Sequence, residues 1–270
     1  MHALANMGLR AARRASQIIV RAMDRLDELN IEQKNLNDFV SNIDRDAEAA
    51  IIDTLHTAYP DHGFLGEEGG EQHTSDEFTW IIDPLDGTLN FLQGVPHFCV
   101  SIALRKGRNI EHGIIVDPVR NEEFVASRGA GAQLNGKRIR VSTTHRLHES
   151  VLATGIPPHA IGPHLDAYMD MLKSFTGQAR AIRRMGSAAL DLAYTAAGRF
   201  DGFWEPRLSP WDIAAGTLLV REAGGFVGDF QGGDTHMETG NIVAANPKCF
   251  RNLVTELKPH LTQELLQPRA

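Results

Sequence analysis

Hydrophobic side chains near the start of the chain recur at steps of three and four residues, which is the spacing of one face of an α-helix. The first stripe consists of Leu4, Gly8, Ala11, Ala15, Ile18, Ile19, Ala22 and Leu26. It predicts a helix that runs to about Leu29, followed by a polar loop from Glu32 to Asp38. A second stripe predicts a helix from about Ile43 to Ala58.

The pattern changes from Phe78 onward, where short runs rich in β-branched and aromatic residues are separated by Gly, Pro and Asn. Such runs are typical of strands. The predicted strands are 78–82, 98–104, 113–116, 123–126, 132–134 and 139–141. Between the last two, Asn135-Gly136 is a strong signal for a hairpin turn. Residues 1–141 are therefore predicted to form an α+β half, with two helices on a largely antiparallel sheet.

Strand and helix patterns alternate after Val141. Strands are predicted at 151–154, 181–183, 200–204, 226–229 and 242–245, and helices at 165–175, 187–197, 212–223 and from Pro247 onward. This alternation is typical of an α/β fold. We predict that residues 142–270 form a second half of this class.

Composition narrows the function classes. The 270 residues are 42% hydrophobic and 23% charged, which is ordinary for a soluble globular protein. The net charge of −7 argues against direct nucleic-acid binding, which requires a clustered basic surface. The two cysteines, Cys99 and Cys249, form neither a disulfide framework nor a paired zinc motif, so we expect a reducing, cytoplasmic setting. No window reaches the roughly 18 consecutive apolar residues of a membrane span.

The N-terminal segment is rich in arginine, with Arg10, Arg13, Arg14 and Arg21 preceding the first acidic residue, Asp24. This pattern also occurs in organelle transit peptides. The apolar stripe of the same segment instead favours an integral helix that packs on a core.

The run Asp83–Thr88, with the sequence D-P-L-D-G-T, follows the predicted strand 78–82 directly. Because Pro84 cannot donate a ladder hydrogen bond, the strand is predicted to end there. Two carboxylates and the Leu85 carbonyl on one turn are hard oxygen ligands of the kind that Mg²⁺ prefers. The alternative interpretation is an ordinary turn, because Asp, Pro and Gly favour turns for local reasons.

Two further acidic segments are candidates for the same site. Glu67 lies in the glycine-bearing loop 66–71, where a carboxylate could complete a metal site or polarise a water. Asp212 lies in the first turn of a predicted helix. Each segment alone has a simpler interpretation, a solvated acidic loop for Glu67 and a helix-capping aspartate for Asp212.

Together these segments resemble the inositol monophosphatase family. The motifs G-E-E at 66–68, W-I-I-D-P-L-D-G-T-L-N-F at 80–91 and W-D-I-A-A-G at 211–216 match that family's motifs in order and spacing. The similarity covers essentially the whole chain and is closest to bacterial SuhB-type members. It implies the layered αβαβα sandwich that this family shares with the fructose-1,6-bisphosphatase superfamily.

The resemblance also implies roles for individual residues. Two or three Mg²⁺ ions would be held by Glu67, Asp83, the carbonyl of Leu85, Asp86 and Asp212. Thr88, hydrogen-bonded to Asp44, would orient the attacking water together with Glu67. The implied substrate contacts are Asp86, Gly87, Thr88, Gly186, Ser187, Ala188 and Glu205.

This chain departs from the family pattern in two places. Leu89 replaces the second threonine of the usual D-G-T-T-N motif, and we expect activity to survive because Thr88 is kept. The stretch between Lys34 and Asp44 differs in length from that of animal members, which leaves the assignment of Lys34 to the active-site loop open.

The implied function is lithium-sensitive hydrolysis of myo-inositol monophosphate by a homodimer. The alternatives are a sister phosphatase, acting on fructose 1,6-bisphosphate, adenosine bisphosphate or histidinol phosphate, and a binding role. SuhB-type proteins are associated with transcription antitermination, so the second alternative predicts contact with RNA polymerase or Nus factors.

Overall fold

The computed structural model describes residues 2–28, 31–35, 38–73, 75, 77–156 and 162–268, without the side chains of 27–28, 31–35 and 38–40. Its helices are α1 Ala3–Ala22, α2 Asn42–Ala58, α3 Thr88–Leu92, α4 Leu165–Thr176, α5 Ala188–Ala196, α6 Pro210–Glu222, α7 His236–Thr239 and α8 Pro247–Leu257. Its strands are β1 Ile31–Asn35, β2 Asp38–Ser41, β3 Gly63–Gly66, β4 Gly70–Gln72, β5 Phe78–Asp86, β6 Cys99–Lys106, β7 Asn109–Asp117, β8 Glu122–Ser127, β9 Gly131–Leu134, β10 Lys137–Arg138, β11 Val151–Thr154, β12 Ala181–Arg183, β13 Gly202–Glu205, β14 Phe226–Gly228 and β15 Ile242–Ala245.

The larger sheet of the described chain has eight strands in the order β10-β9-β8-β7-β6-β5-β3-β4. Its neighbouring strands are antiparallel except for β3 and β5, which run parallel. Helices α1 and α2 cover one face, where Ala11 and Ile51 pack in one buried cluster with Trp80, Ile102 and Ile114. This arrangement confirms the predicted antiparallel character of the N-terminal half.

The smaller sheet is mixed, with the order β12-β11-β13-β15-β14 among the described strands. Helices α5 and α6 lie between the two sheets, in a cluster that contains Ile115 and Phe124 of the larger sheet and Phe203 of the smaller one. Helices α4 and α8 cover its outer face. The layers are therefore α, β, α, β and α, as predicted. Because the middle cluster joins residues from both predicted halves, the division at residue 141 stays a proposal.

Several predicted elements need correction. The polar loop from Glu32 to Asp38 instead contributes to the antiparallel pair β1 and β2, whose sequence lacks the alternation that marks a half-buried strand. Helix α1 ends at Ala22 and continues as a 3₁₀ segment, Met23–Glu28, while Leu29 lies outside the described residues. The strand predicted at 139–141 is not formed; the strand in this region is Lys137–Arg138.

The hairpin between β9 and β10 explains that shift. Asn135 and Gly136 both have positive φ, +48° and +75°, as a two-residue turn of this type requires. The turn therefore places Lys137 directly opposite Leu134. No helix among the described residues is long and apolar enough to cross a membrane.

Strand β5 does not end at Pro84 as predicted. Asp83 pairs with Ser101 and Asp86 with Cys99, so three steps on β5 face two steps on β6. This extra residue is a β-bulge, which accommodates the missing N–H of Pro84 within the strand. The bulge lies between the two aspartates of the candidate metal turn.

Candidate active site

The parallel pairing of β3 and β5 brings Glu67 and Asp83 to the same edge of the sheet. Gly66 pairs with Ile82, and the Glu67 amide donates to the Ile82 carbonyl at 3.1 Å. The carboxyl ends of parallel strands meet at one edge, so the residues that follow them are neighbours. The G-E-E loop and the D-P-L-D-G-T turn therefore belong to one site.

The Asp83–Thr88 turn is fixed by its own hydrogen bonds and by a glycine. Asp83 Oδ1 accepts from the Leu85 amide at 3.0 Å. Gly87 has φ +97°, and a Cβ there would lie 3.0 Å from the His97 carbonyl oxygen and 3.2 Å from that of Gly186. Both the conformation and the close approach require glycine at this position.

Helix α2 supports the turn from behind. Thr88 Oγ1 lies 2.9 Å from Asp44 Oδ1 and 2.9 Å from the Leu85 carbonyl oxygen. Asp44 is buried, and its other oxygen accepts from the Ser41 amide at 2.9 Å and the Ser41 hydroxyl at 2.6 Å. These bonds form a capping box at the start of α2. The Thr88–Asp44 contact that the resemblance implied is thus present.

Glu48, which the sequence analysis missed, holds the other loop. Its buried carboxylate accepts from the amides of Glu68 at 3.0 Å and Gly69 at 2.7 Å. The carboxylate packs so closely on Gly66 that a Cβ there would lie 2.3 Å from Oε2. A signal existed in the sequence, because Asp44 and Glu48 lie at steps of three and four residues before Ile51 and Leu55, on the buried face of α2.

Asp86 connects the turn to helix α5. Its Oδ2 accepts from the Ser187 hydroxyl at 2.6 Å and from the Ala189 amide at 2.7 Å. Burial raises the pKa of Asp86 from 3.8 to about 6, and these two hydrogen bonds oppose that rise. Asp86 and Ser187, both predicted substrate contacts, are therefore adjacent.

Asp212 enters the site from helix α6. It lies in the first turn of that helix and accepts from the Ser209 amide at 2.6 Å, in a second capping box. Asp212 therefore does cap the helix, as the alternative interpretation suggested, and this role does not exclude metal binding. Its charge also acts on Asp83.

The electrostatics of Asp83 show that these carboxylates face one another. Burial raises the pKa of Asp83 well above its usual range, and the charges of Glu67, Asp86 and Asp212 raise it further. A side-chain hydrogen bond with Glu67 acts in the same direction. Each of these effects disfavours the ionised form of Asp83.

The oxygen atoms of these carboxylates and of the Leu85 carbonyl are of the kind that binds a divalent cation, but their side chains are not arranged around a common point. Among the described residues, no group of three or more His, Cys, Asp and Glu side chains is arranged to hold a metal ion as it stands. The ligands are nevertheless all oxygens, and their repulsion is what a cation relieves.

A family model for the inositol monophosphatase family matches residues 1–264. The chain belongs to this family. It is 51% identical over 270 residues to the Nus factor SuhB of Pseudomonas aeruginosa, covering 98% of this chain and 99% of that protein. The inositol monophosphatase resemblance predicted from the three motifs is therefore confirmed.

Solved structures of family members have the same fold. The extragenic suppressor protein suhB of Bartonella henselae is 44% identical with a TM-score of 0.93, covering 96% of this chain and 100% of that one. SaIMPase-II, from Staphylococcus aureus and solved with inositol monophosphate bound, is 26% identical with a TM-score of 0.80, covering 96% and 95%. The chain is a phosphatase of the inositol monophosphatase family.

Four of the predicted substrate contacts, Gly186, Ser187, Ala188 and Glu205, lie on or next to α5 and β13. Asn90 Nδ2 donates to the carbonyls of His97 at 2.8 Å and Met185 at 2.9 Å, which ties the 185–188 segment to the turn. Gly186 has φ +86°, and Ser187 caps α5. Ala188 is the first residue of that helix.

Glu205 is buried at the end of β13, against Gly155, where a Cβ would lie 2.0 Å from Oε1. Burial raises its pKa well above the usual range, and the charges of Asp191, Asp212 and Asp86 add to this effect. Glu205 is therefore close enough to Asp212 and Asp86 for their charges to act on it. Asp191, another buried carboxylate, was missed, although it is the only charged residue in the helix Ala188–Ala196.

Proposed function

We propose that this phosphatase hydrolyses myo-inositol monophosphates with Mg²⁺ as cofactor. The observation that carries the proposal is the cluster of carboxylates whose charges raise the pKa of Asp83. Glu67, Asp83, Asp86, Asp212 and the Leu85 carbonyl would hold the ions. When bound, Mg²⁺ neutralises phosphate charge and makes hydroxide accessible near neutral pH.

Thr88 and Glu67 would orient a water molecule in this proposal. Both neighbours of the Thr88 hydroxyl, Asp44 Oδ1 and the Leu85 carbonyl, are acceptors. The hydroxyl proton is therefore engaged, and its oxygen is left to accept a hydrogen bond from water. The Glu67 carboxylate would accept the other proton as the water attacks phosphorus.

The remaining contacts suit a phosphate that carries a ring of hydroxyl groups. The amides of Gly87 and Thr88 would donate to phosphate oxygens. Asp86 uses Oδ2 to hold Ser187 and Ala189, so Oδ1 is the oxygen that can meet a metal ion or a substrate hydroxyl. Glu205 and the segment formed by Gly186, Ser187 and Ala188 would contact further hydroxyls. A family member that binds inositol monophosphate supports this choice.

A panel of phosphate esters tests the substrate. Phosphate release is measured with Mg²⁺ from inositol 1-phosphate, fructose 1,6-bisphosphate, adenosine bisphosphate and histidinol phosphate, with and without Li⁺. We expect inositol 1-phosphate to react fastest and Li⁺ to inhibit. Rapid release from another ester beside none from inositol 1-phosphate would identify a sister phosphatase instead.

A second function, as a partner in transcription antitermination, is favoured by the name of the 51%-identical relative, Nus factor SuhB. The Asp83→Asn variant separates the two functions, because it should abolish hydrolysis and leave the surface intact. In a strain lacking its own copy of the gene, we expect this variant to restore read-through of ribosomal RNA operons as well as the wild type. Loss of restoration would contradict an independent binding role.

The homodimer and the cytoplasmic location stay predictions. Sedimentation velocity of the purified protein tests the first, and cell fractionation tests the second. Lys34, considered for the active-site loop, has a side chain outside the described residues and takes no part in this proposal.

A further inference from the structure

A cavity of about 590 Å³ lies between the β6–β7 turn and the helices α6 and α7. Its size is typical of pockets that bind small molecules. Four arginines line it, Arg105, Arg108, Arg128 and Arg221. None of the residues proposed for catalysis, for metal binding or for substrate binding is part of its wall.

The arginines are only partly neutralised. Arg221 pairs with Asp234 at 2.7 Å, but that carboxylate is 80% exposed, and such a surface pair contributes little. Arg128 lies 3.8 Å from Glu111. Within the described part of the chain, Arg105 and Arg108 have no carboxylate within ion-pair distance. The wall carries four arginines against two carboxylates, Asp234 and Glu238, so the cavity has a surplus of positive charge.

Two buried side chains on the same wall have polar atoms without hydrogen-bond partners. They are Thr217 Oγ1 and both ring nitrogens of His236, three of the nine such atoms found among the described residues. Both side chains are only 2% exposed. An unsatisfied buried polar atom is unfavourable, and three of these atoms belong to residues that line this one cavity.

His236 adds polarity to the wall without adding charge. Burial is the main reason that its pKa is lowered to about 4, and the charge of Arg221 contributes. The ring is therefore neutral at pH 7, with one donor and one acceptor nitrogen. Asp234 Oδ1, 3.5 Å from Nδ1, is too far for a good hydrogen bond.

The rest of the wall is apolar and includes Leu65, Ile81, Leu218 and Met237. A free inorganic anion would leave this surface in contact with water, whereas an anion with an apolar body would cover it. We propose that this cavity binds a small organic phosphate or phosphonate that carries an aromatic or apolar group. The arginines would bind the anion, and the apolar side chains would bind the body.

Three residues of the cavity wall are close in sequence to the proposed metal ligands. Leu65, Ile81 and Pro210, which line it, each precede a proposed metal ligand by two residues. An experiment must therefore distinguish a probe in this cavity from one on the metal site. The binding proposal itself does not depend on which ester the active site hydrolyses.

Phenylphosphonate is a suitable probe because its carbon–phosphorus bond is not a substrate for ester hydrolysis. Calorimetry on the full-length, Mg²⁺-loaded protein would compare it with methylphosphonate, which lacks the apolar group, and benzyl alcohol, which lacks the anion. The same titrations use Asp83→Asn protein, in which the metal site is impaired. We expect phenylphosphonate to bind most tightly and to bind Asp83→Asn as well as wild type.

Arg108→Gln is the decisive variant, because Arg108 is exposed in the β6–β7 turn and the substitution should not affect folding. Loss of a charge-assisted contact should weaken phenylphosphonate binding about tenfold. Arg180→Gln, an identical change at another exposed arginine, should leave the affinity unchanged. No saturable binding, equal binding to wild type and Arg108→Gln, or binding that disappears in Asp83→Asn would each overturn the proposal.

Discussion

Two sets of carboxylates lie on either side of Thr88, and they differ in how their negative charge is balanced. On helix α2, Asp44 and Glu48 accept hydrogen bonds from backbone amides and from the Ser41 hydroxyl. On the other side of the Asp83–Thr88 turn, Asp83 is surrounded by the negative charges of other carboxylates, which raise its pKa. Hydrogen bonds balance the charge of the first set, whereas those accepted by Asp83 and Asp86 do not offset the effect of burial, which raises the pKa of both.

This difference separates a scaffold set, Asp44 and Glu48, from a reactive set, Glu67, Asp83, Asp86 and Asp212. A buried carboxylate with several donors is a structural element, because its charge is already balanced by hydrogen bonds. A buried cluster without enough donors either takes up protons or binds a cation. The scaffold set holds both loops of the reactive set in place, Thr88 through Asp44 and the Glu67 loop through Glu48.

The largest expected effect comes from removing the centre of the reactive set. Asp83→Asn should lower kcat/KM for inositol 1-phosphate by about a thousandfold or more, since charge stabilisation is usually the largest catalytic term. It should not destabilise the metal-free protein, because it removes a repelled charge. Phosphate release and thermal unfolding in EDTA check the two halves of this prediction.

Asp46→Asn is the matched control, because Asp46 is exposed on α2. We expect its activity and stability to equal those of the wild type. If Asp83→Asn proved strongly destabilising in EDTA, Asp83 would belong with the scaffold set and the comparison would fail.

Glu48→Ala should show the opposite behaviour, with a large loss of stability. It leaves the amides of Glu68 and Gly69 without an acceptor, and we expect unfolding to become easier by about 2–3 kcal/mol. Activity should also fall, because the Glu67 loop loses its anchor. Urea unfolding measures the first effect and phosphate release the second.

Glu48→Gln distinguishes anchoring from charge, because it keeps one acceptor oxygen and the shape of the side chain. We expect it to recover part of both stability and activity. Equal losses in Glu48→Gln and Glu48→Ala would show that the charge, rather than the acceptor atoms, holds the loop.

A smaller effect is expected in the pH dependence of the metal-free protein. The pKa of Asp86 is raised in the folded state from 3.8 to about 6, so folding favours its protonated form. Its contribution to stability is therefore complete below about pH 4 and is lost as the pH rises through 6. Melting temperatures in EDTA should fall over this window, and less so in Asp86→Asn than in Asp46→Asn. A wild-type melting temperature that rises from pH 4 to 6 relative to Asp86→Asn would contradict this sign.

The sequence could predict the reactive set more readily than the scaffold set. Asp83, Asp86 and Thr88 stand in a short run after a strand, where the residue types indicate a turn that could hold a metal ion, and the family resemblance implies their roles. Glu48 acts on a loop twenty residues away, and only the packing of α2 against that loop reveals the contact. The helices and most strands were predicted from periodicity, which depends on burial alone, whereas the layered αβαβα arrangement was implied by the family resemblance.

The elements that were missed depend on pairing rather than on burial. The β1–β2 pair has a polar sequence, and the bulge at Pro84 exists because β6 lies beside it. The Pro84 prediction was wrong because a missing N–H does not end a strand when an extra residue can take up the irregularity. Such features are properties of two segments together, so neither segment indicates them alone.

The smallest expected effect concerns Leu89, where this chain departs from the usual family motif. Leu89 lies on α3 and is 47% exposed, whereas its neighbour Thr88 contacts Asp44. A residue that belongs to neither set of carboxylates should be replaceable, and surface substitutions usually change stability by less than about 0.5 kcal/mol. Leu89→Thr should therefore change kcat and KM by less than about twofold, while Thr88→Val, similar in shape but without the hydroxyl, should lower kcat by at least tenfold. Phosphate release from both variants at saturating Mg²⁺ measures this contrast. A large gain in Leu89→Thr would mean that the second threonine of the motif takes part in catalysis, and that the water is not oriented by Thr88 and Glu67 alone.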